Sequence, residues 1–418
     1  MNKYLEKHRF CDRQIKTPVV SETNIIGVIP CYNEPELLKI LQSLFDCEKT
    51  SCTVEVIVVI NSGEHDDENV LKQNQKTFQD ATAWIKQHKN EQLFFHLIQI
   101  KNLPNKHAGV GLARKIGMDE AVARFEDISR PDGIIVCLDA DCTVDKNYLT
   151  EIEKYFEQQP KTTGCSIYFE HPIDGNEFSK ANYEGIVNYE LFLRFYKRAL
   201  HFCNFPYAFH TIGSSMAVRN KIYQKQGGMN RRKAGEDFYF LHKIFPLGNF
   251  TELNSTRVIP SPRASDRVPF GTGSAIQKMM ASDSKIYFTY NIQTFVDLKI
   301  FLARVSEFYS SSAHHPINSS LPPSIQKFVA ENNFEKKLIE LKQHSASEKM
   351  FVKRFFNWFD GFMVLKFVHF ARDHFYDPIE ILDATKFLMQ LHNKKFSENI
   401  SKKEMLLQFR KWENPFLH

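Results

Sequence analysis

The chain has no two cysteines at Cys-x-x-Cys spacing, and none at all after Cys203. Its eight cysteines therefore suit neither a disulfide framework nor a structural zinc site. Several sit inside apolar runs, as in Ile134-Ile135-Val136-Cys137-Leu138, where a thiol packs as a small hydrophobe. A reducing, cytoplasmic compartment is the expectation. No stretch reaches the ~18 uncharged apolar residues that cross a bilayer, so no integral span is expected. Met1 to Arg13 is charged throughout and lacks an apolar h-region, so no secretory signal is expected. A dense basic stripe is also missing. Lys and Arg are interleaved with Asp and Glu, and the net charge is only +5. That argues against a dedicated nucleic-acid binder. It suits a protein that handles anionic small molecules or works beside anionic lipid. No internal repeat or low-complexity tract occurs.

What is present is ample for a buried core: 418 residues, 43% hydrophobic and 25% charged. Residues 1–23 read as a polar lead-in. From Asn24 to about Gly133, strands and helices alternate. Ile25 to Ile29 is a β-branched run that Pro30 should stop. Pro35 opens a helix over Glu36 to Phe45, at a position where its missing N–H costs nothing. Val54 to Ile60 reads as a second strand, ended by Asn61-Ser62-Gly63. A polar helix follows over Asn69 to Lys89, then a strand over Leu93 to Ile100. His107 to Phe125 reads as a helix with Ala113, Gly117, Ala121 and Phe125 on one ladder. Ile134 to Leu138 is a fourth strand, ended by Asp139. Strands apolar throughout and separated by helices imply an α/β fold, with a mostly parallel sheet covered on both faces. Such sheets bind ligands at the C-terminal ends of their strands. Tyr32-Asn33-Glu34, Asn61-Ser62 and Asp139-Ala140-Asp141 occupy those places.

Between Gly164 and Arg257 the pattern is mixed. Cys165 to Glu170 and Ser214 to Val218 read as strands, and Tyr183 to Phe202 as an aromatic helix. Ser261 to Gly273, with Pro262, Pro269, Arg263 and Arg267, reads as a loop. Beyond Ser274 the chain is helical and rich in Phe, with a break at 315–323.

Asp139-Ala140-Asp141 follows an apolar strand directly. Two carboxylates so placed can converge on a hard divalent cation, Mg²⁺ or Mn²⁺, that shares its shell with substrate phosphates. The competing reading is a solvated turn, since Asp is common at strand ends. Gly109-Val110-Gly111 lacks the full dinucleotide fingerprint. His210 and His242 are candidate third metal ligands, with a structural role favoured for both. Phe351 to Arg372 interleaves eight aromatic residues with Lys353, Arg354, Lys366 and Arg372. A basic amphipathic helix could dock on a membrane surface, but core packing is the preferred reading.

Five segments, taken together, resemble family-2 glycosyltransferases. Val28-Ile29-Pro30-Cys31-Tyr32-Asn33-Glu34 is similar to that family's opening strand and loop, and Val56 to Ser62 to its second strand. Asn105 to Gly117 resembles the segment before the metal motif, and Leu138-Asp139-Ala140-Asp141 the Asp-x-Asp motif itself. Gly213 to Arg219, followed by Gly235-Glu236-Asp237, resembles the acceptor-side segment with its Glu-Asp pair. The resemblance covers about residues 24–275.

It implies a GT-A fold with a helical C-terminal region: residues 1–23 as lead-in, 24–284 catalytic, 285–418 helical. It also implies roles. Tyr32 and Glu34, with Pro30 at the strand end, would line the nucleobase and ribose pocket of the donor. Asn61 stands where the family often has Asp. Arg114 would lie near the nucleotide or serve its own helix. Asp139 would contact ribose or metal, and Asp141 the metal. Asp237, or else Glu236, would be the general base. The pair also suits a helix N-terminus, where the dipole favours acids. Arg263 and Arg267 would clamp the donor diphosphate, or lie in an exposed loop. The family implies a nucleotide-diphosphate sugar donor, an unidentified hydroxyl acceptor (saccharide, lipid or small metabolite) and an inverting displacement. No Gln-x-x-Arg-Trp motif is present, so a processive synthase is not expected. No nucleic-acid partner is expected, and any membrane contact would be peripheral. A nucleotidyltransferase would want a Gly-rich, basic phosphate loop after the first strand, which Pro30 to Glu34 does not supply. A non-catalytic relict would be expected to have lost the carboxylates, which are present.

Overall fold

The computed structural model of the chain describes residues 2–265, 267, 271–281, 286–310 and 321–415. It divides into two compact units. The first comprises Met1–Ser179 and Thr211–Ala275, the second Lys180–His210 and Ile276–His418.

In the first unit eight strands form one sheet: β1 (Thr23–Cys31), β2 (Thr53–Gly63), β3 (Leu93–Leu103), β4 (Ile134–Cys137), β5 (Cys142–Val144), β6 (Gly164–Phe169), β7 (Met216–Arg219) and β8 (Phe250–Pro260). Their order is β3-β2-β1-β4-β7-β6-β8-β5. β1 pairs in parallel with β2 and β4, β2 with β3, and β6 with β8. β7 runs antiparallel to both β4 and β6, and β5 antiparallel to β8. This is a GT-A-like, mostly parallel sheet flanked by helices, and it agrees with the sequence-based expectation.

β2 is buried along its whole length, as a strand covered on both faces should be. Each buried Val or Ile there contributes about 1.5–3 kcal/mol. The helix Val110–Asp127 lies against β1 and β2. A methyl group at Gly117 would come within 2.5 Å of Val28 Cγ1 and 3.1 Å of Val59 Cγ2, so the small-residue ladder of this helix sets its distance from the sheet.

Three local expectations are corrected. β1 continues through Pro30 to Cys31, because Pro30 is paired with Val59 on β2 while β4 has already ended opposite Val28. A missing N–H is tolerated where one side of a strand lacks a neighbour. β2 likewise runs through Asn61, Ser62 and Gly63, which stay buried and pair with β3 as far as Leu103 across a register shift between Asn61 and Gly63. The helix expected from His107 begins at Val110. β5 and β8 were not anticipated. The loop expected over Ser261 to Gly273 is described except at 266 and 268–270. The break expected at 315–323 lies outside the described residues as far as 320.

The lead-in is ordered against Val110–Asp127. A short helix, Lys3–His8, inserts Tyr4, whose hydroxyl donates to Asp119 at 2.7 Å. The backbone N–H groups of Gln14 and Ile15 donate to Glu120, and Arg124 donates to the Thr17 carbonyl.

The second unit is helical. Helix Lys180–Phe202 belongs to it and packs beside Ile381–Leu391 and Lys402–Glu413. Glu190 there accepts bonds from both Arg194 and Arg410. Phe351, Phe355, Phe359 and Phe367 are fully buried, and Phe355 packs with Phe301, Phe308 and Phe334. Half of the aromatic stripe of 351–372 is therefore core, while Phe356, Trp358, Phe362 and Phe370 are half-buried. No helix among the described residues is long and apolar enough to cross a membrane.

Candidate active site

Strand direction decides which loops meet. β1, β2 and β4 are parallel, so the residues after Cys31, Gly63 and Cys137 emerge at one edge of the sheet. β7 runs against β4 and begins opposite Cys137, so Gly213 to Ser215 lie at the same edge. β8 runs with β6, hence with β4, and ends where Pro260 pairs with Cys142. The segment carrying Arg263 and Arg267 thus leaves the sheet beside Asp141.

Beside β1, Glu34 is nearly sealed, with 1% of its side chain exposed. Arg263 donates to both Glu34 oxygens, with Nη1 to Oε1 at 3.1 Å. Arg267 donates to Glu34 Oε2 at 3.1 Å and to the Tyr32 carbonyl at 3.0 Å. Burial works against the charge on Glu34, yet the two arginines hold its carboxyl below the usual range. Both guanidinium groups also approach Asp141 Oδ2, at 3.2 Å from Arg263 and 3.5 Å from Arg267. The Tyr32 hydroxyl donates to Asp66, which also receives the Gly63 N–H. Asn61 is buried in β2, and its carbonyl accepts from Asn74. Pro30 is the last residue but one of β1, followed by Cys31 and then Tyr32.

Asp139 and Asp141 flank Ala140, with 40% and 24% of their side chains exposed. Burial, and then the charge of Asp139, raise Asp141 to about 6. Among the described residues no group of three or more His, Cys, Asp and Glu side chains is arranged to hold a metal ion. Asp139 and Asp141 are the oxygen donors here that would hold a hard divalent cation. His210 sits 3.2 Å from Glu413 in the second unit, and His242 is buried among Phe238 and Phe245.

Arg114 reaches this edge from the first turns of Val110–Asp127. It is 1% exposed and donates to Glu236, and through Nη2 to Asp139 Oδ1 at 2.6 Å. Gly235, in a left-handed conformation at φ 69°, starts the helix Glu236–Ile244. Glu236 points into the protein, and burial pushes its carboxyl up to about 7 against the pull of Arg114. Asp237 is only partly buried. Its Oδ2 accepts the Gly213 N–H at 2.9 Å and its Oδ1 the Phe238 N–H at 2.7 Å. Burial raises Asp237 as well, and Arg114 opposes the rise. Sequence reasoning missed Gly213 as a contributor. Its signals were its place in the acceptor-side segment and a glycine just before β7, a strand that begins at this edge.

Residues 28–227 match the family model described as glycosyl transferase family 2. The chain carries a family-2 glycosyltransferase domain. This glycosyltransferase matches no curated protein. Among solved structures it is similar to S. aureus TarS 1–349 in complex with UDP-GlcNAc, at 11% identity and a TM-score of 0.42, covering 91% of this chain and 95% of that one. The same TarS fragment in complex with UDP aligns at 12% identity and a TM-score of 0.39, over 91% and 94%.

Proposed function

We propose that this glycosyltransferase moves one sugar from a nucleotide-diphosphate sugar to an acceptor hydroxyl, with a divalent cation held by Asp139 and Asp141 and with Asp237 as general base. The observation that carries this reading is the division of labour in the Glu236-Asp237 pair. Glu236 is buried and held by Arg114, whereas Asp237 keeps solvent access and a carboxylate fixed by two backbone N–H groups.

When bound, Mg²⁺ or Mn²⁺ would act as a Lewis acid on the departing diphosphate. The chain's own residues do the rest. Tyr32 borders the donor pocket, Glu34 lies sealed beneath Arg263 and Arg267, and these two arginines offer planar forks suited to phosphate. To reach the diphosphate they must leave Glu34 and Asp141, so donor binding exchanges one set of anionic partners for another. Asp237 accepts the proton of the acceptor hydroxyl as its oxygen attacks the anomeric carbon and the sugar–phosphate bond breaks. One carboxylate acting as base supports a single in-line displacement with inversion. Transfer of one residue per encounter agrees with the absence of Gln-x-x-Arg-Trp.

The test is a thermal-shift screen of UDP, GDP and dTDP sugars with and without Mn²⁺, followed by assay of nucleoside diphosphate release. Tight binding raises apparent stability. A cation-dependent shift with one donor, and release of its diphosphate, supports the proposal. No shift with any donor, or release that is unaffected by chelation, sinks it.

A further inference from the structure

We propose that Arg114 is a positioning residue rather than a donor contact, seated by Gly213 so as to fix the donor-side Asp139 against the acceptor-side Glu236-Asp237 pair. This rests on the function proposed above and goes beyond it.

Four observations carry it. Arg114 is 1% exposed, too enclosed to lie along a nucleotide. Its two terminal nitrogens are spent on Glu236 and Asp139, which come from different elements. A methyl group on Gly213 would stand 2.5 Å from Arg114 Nη1 and 2.9 Å from its Cζ, so only glycine leaves room for the guanidinium. The same Gly213 donates its N–H to Asp237. Gly111 does the matching service for Glu236: a methyl there would lie 2.9 Å from Glu236 Cβ and 2.3 Å from the Arg232 carbonyl oxygen. One glycine and one arginine thus tie the strand-end carboxylates to the helix that carries the base. Displacement by about 1 Å in such a frame costs on the order of 10²-fold in rate.

The experiment compares Gly213→Ala, Arg114→Lys and the double variant. The donor is the nucleotide sugar that gives the largest thermal shift with the wild type. Kd is read by calorimetry, turnover by diphosphate release, and folding by thermal midpoint. Each single variant is expected to lose about 30- to 100-fold in turnover at saturating donor, with Kd changed less than about threefold. The double variant is expected to do no worse than the weaker single one, because the slimmer lysine vacates the space that the new methyl needs. Donor affinity that falls as far as turnover, or losses that multiply in the double variant, overturns the role. Arg114→Lys keeps the buried charge, so it decides the question even where Gly213→Ala does not fold. Wild-type protein that binds no donor would instead remove the function on which the inference rests.

Discussion

Arg263 lies with a terminal nitrogen 3.2 Å from Asp141 Oδ2, on the carboxylate proposed to hold the cation. A guanidinium and a divalent cation cannot both occupy that oxygen at full strength. Replacing Arg263 with alanine should therefore strengthen Mn²⁺ binding by donor-free protein, about threefold or more, and weaken donor binding about tenfold, the loss of one charge-assisted contact. Calorimetric titration of each ligand separates the two effects. Weakened affinity for both would mean that Arg263 supports the site as it stands and does not exchange partners.

The Glu236-Asp237 pair separates base from scaffold. Asp237→Asn should keep donor Kd and lose at least 10²-fold in turnover, within the range for removal of a general base. Glu236→Gln should instead show its main effect in folding, because it removes the charge that pairs with a buried arginine. Breaking such a pair costs about 3–5 kcal/mol, less what Asp139 recovers. Turnover per folded molecule that falls further in Glu236→Gln than in Asp237→Asn would transfer the base to Glu236.

The elements that frame this site were legible where one local pattern implied one outcome. The apolar run of β4 followed by Asp-Ala-Asp could be read as a strand with acidic residues at its crevice end. So could the helix after Pro35. What escaped was set by partners far away in the chain. β8 alternates buried and half-exposed residues through Thr251, Glu252 and Asn254, so its sequence resembles a loop until β6 and β5 pair with it. Arg114, Lys115, Asp119, Glu120 and Arg124 look like an exposed helix face. They are buried because Tyr4, Gln14, Thr17, Glu55 and Glu236 come to meet them. Residues 1–23 read only as a polar lead-in for the same reason.

Acidity at Asp141 gives a pH signature. Its folded value of about 6 lies above the unfolded value of 3.8. The folded state therefore binds more protons between these values, and this group's contribution to stability, full below 3.8, is lost as pH rises through about 6. Asp141→Asn should flatten that segment of the stability curve and gain up to about 3 kcal/mol at pH 7.5, as read by urea unfolding. Cation binding follows the opposite course, because it needs the ionised carboxylate. Mn²⁺ affinity should fall about tenfold from pH 7.5 to pH 5, the fraction ionised when the carboxyl titrates near 6. Affinity independent of pH over that range would place the cation elsewhere.

The buried Arg124–Glu55 pair provides a stability test at a distance from the chemistry. Their side chains are 0% and 1% exposed, and Arg124 also donates to the Thr17 carbonyl, which links β2, the helix behind it and the lead-in. His96 lies 3.6 Å from Glu55, and burial lowers it to about 4. Its folded value lies below the unfolded 6.5, so its contribution is present above pH 6.5 and lost as pH falls towards 4. At neutral pH His96 is uncharged and cannot replace Arg124. Glu55→Gln should therefore strand the arginine and cost about 3–5 kcal/mol, measured by urea unfolding at pH 7.5. Double substitution to Glu55→Leu and Arg124→Met should recover most of that loss, since a packed apolar pair avoids the desolvation penalty. It should also expose the Thr17-Pro18 segment to proteolysis, because the Thr17 anchor is gone while Tyr4, Gln14 and Ile15 still hold the rest of the lead-in. A double variant as unstable as the single one would show that the lead-in, rather than the ion pair, holds this corner of the fold.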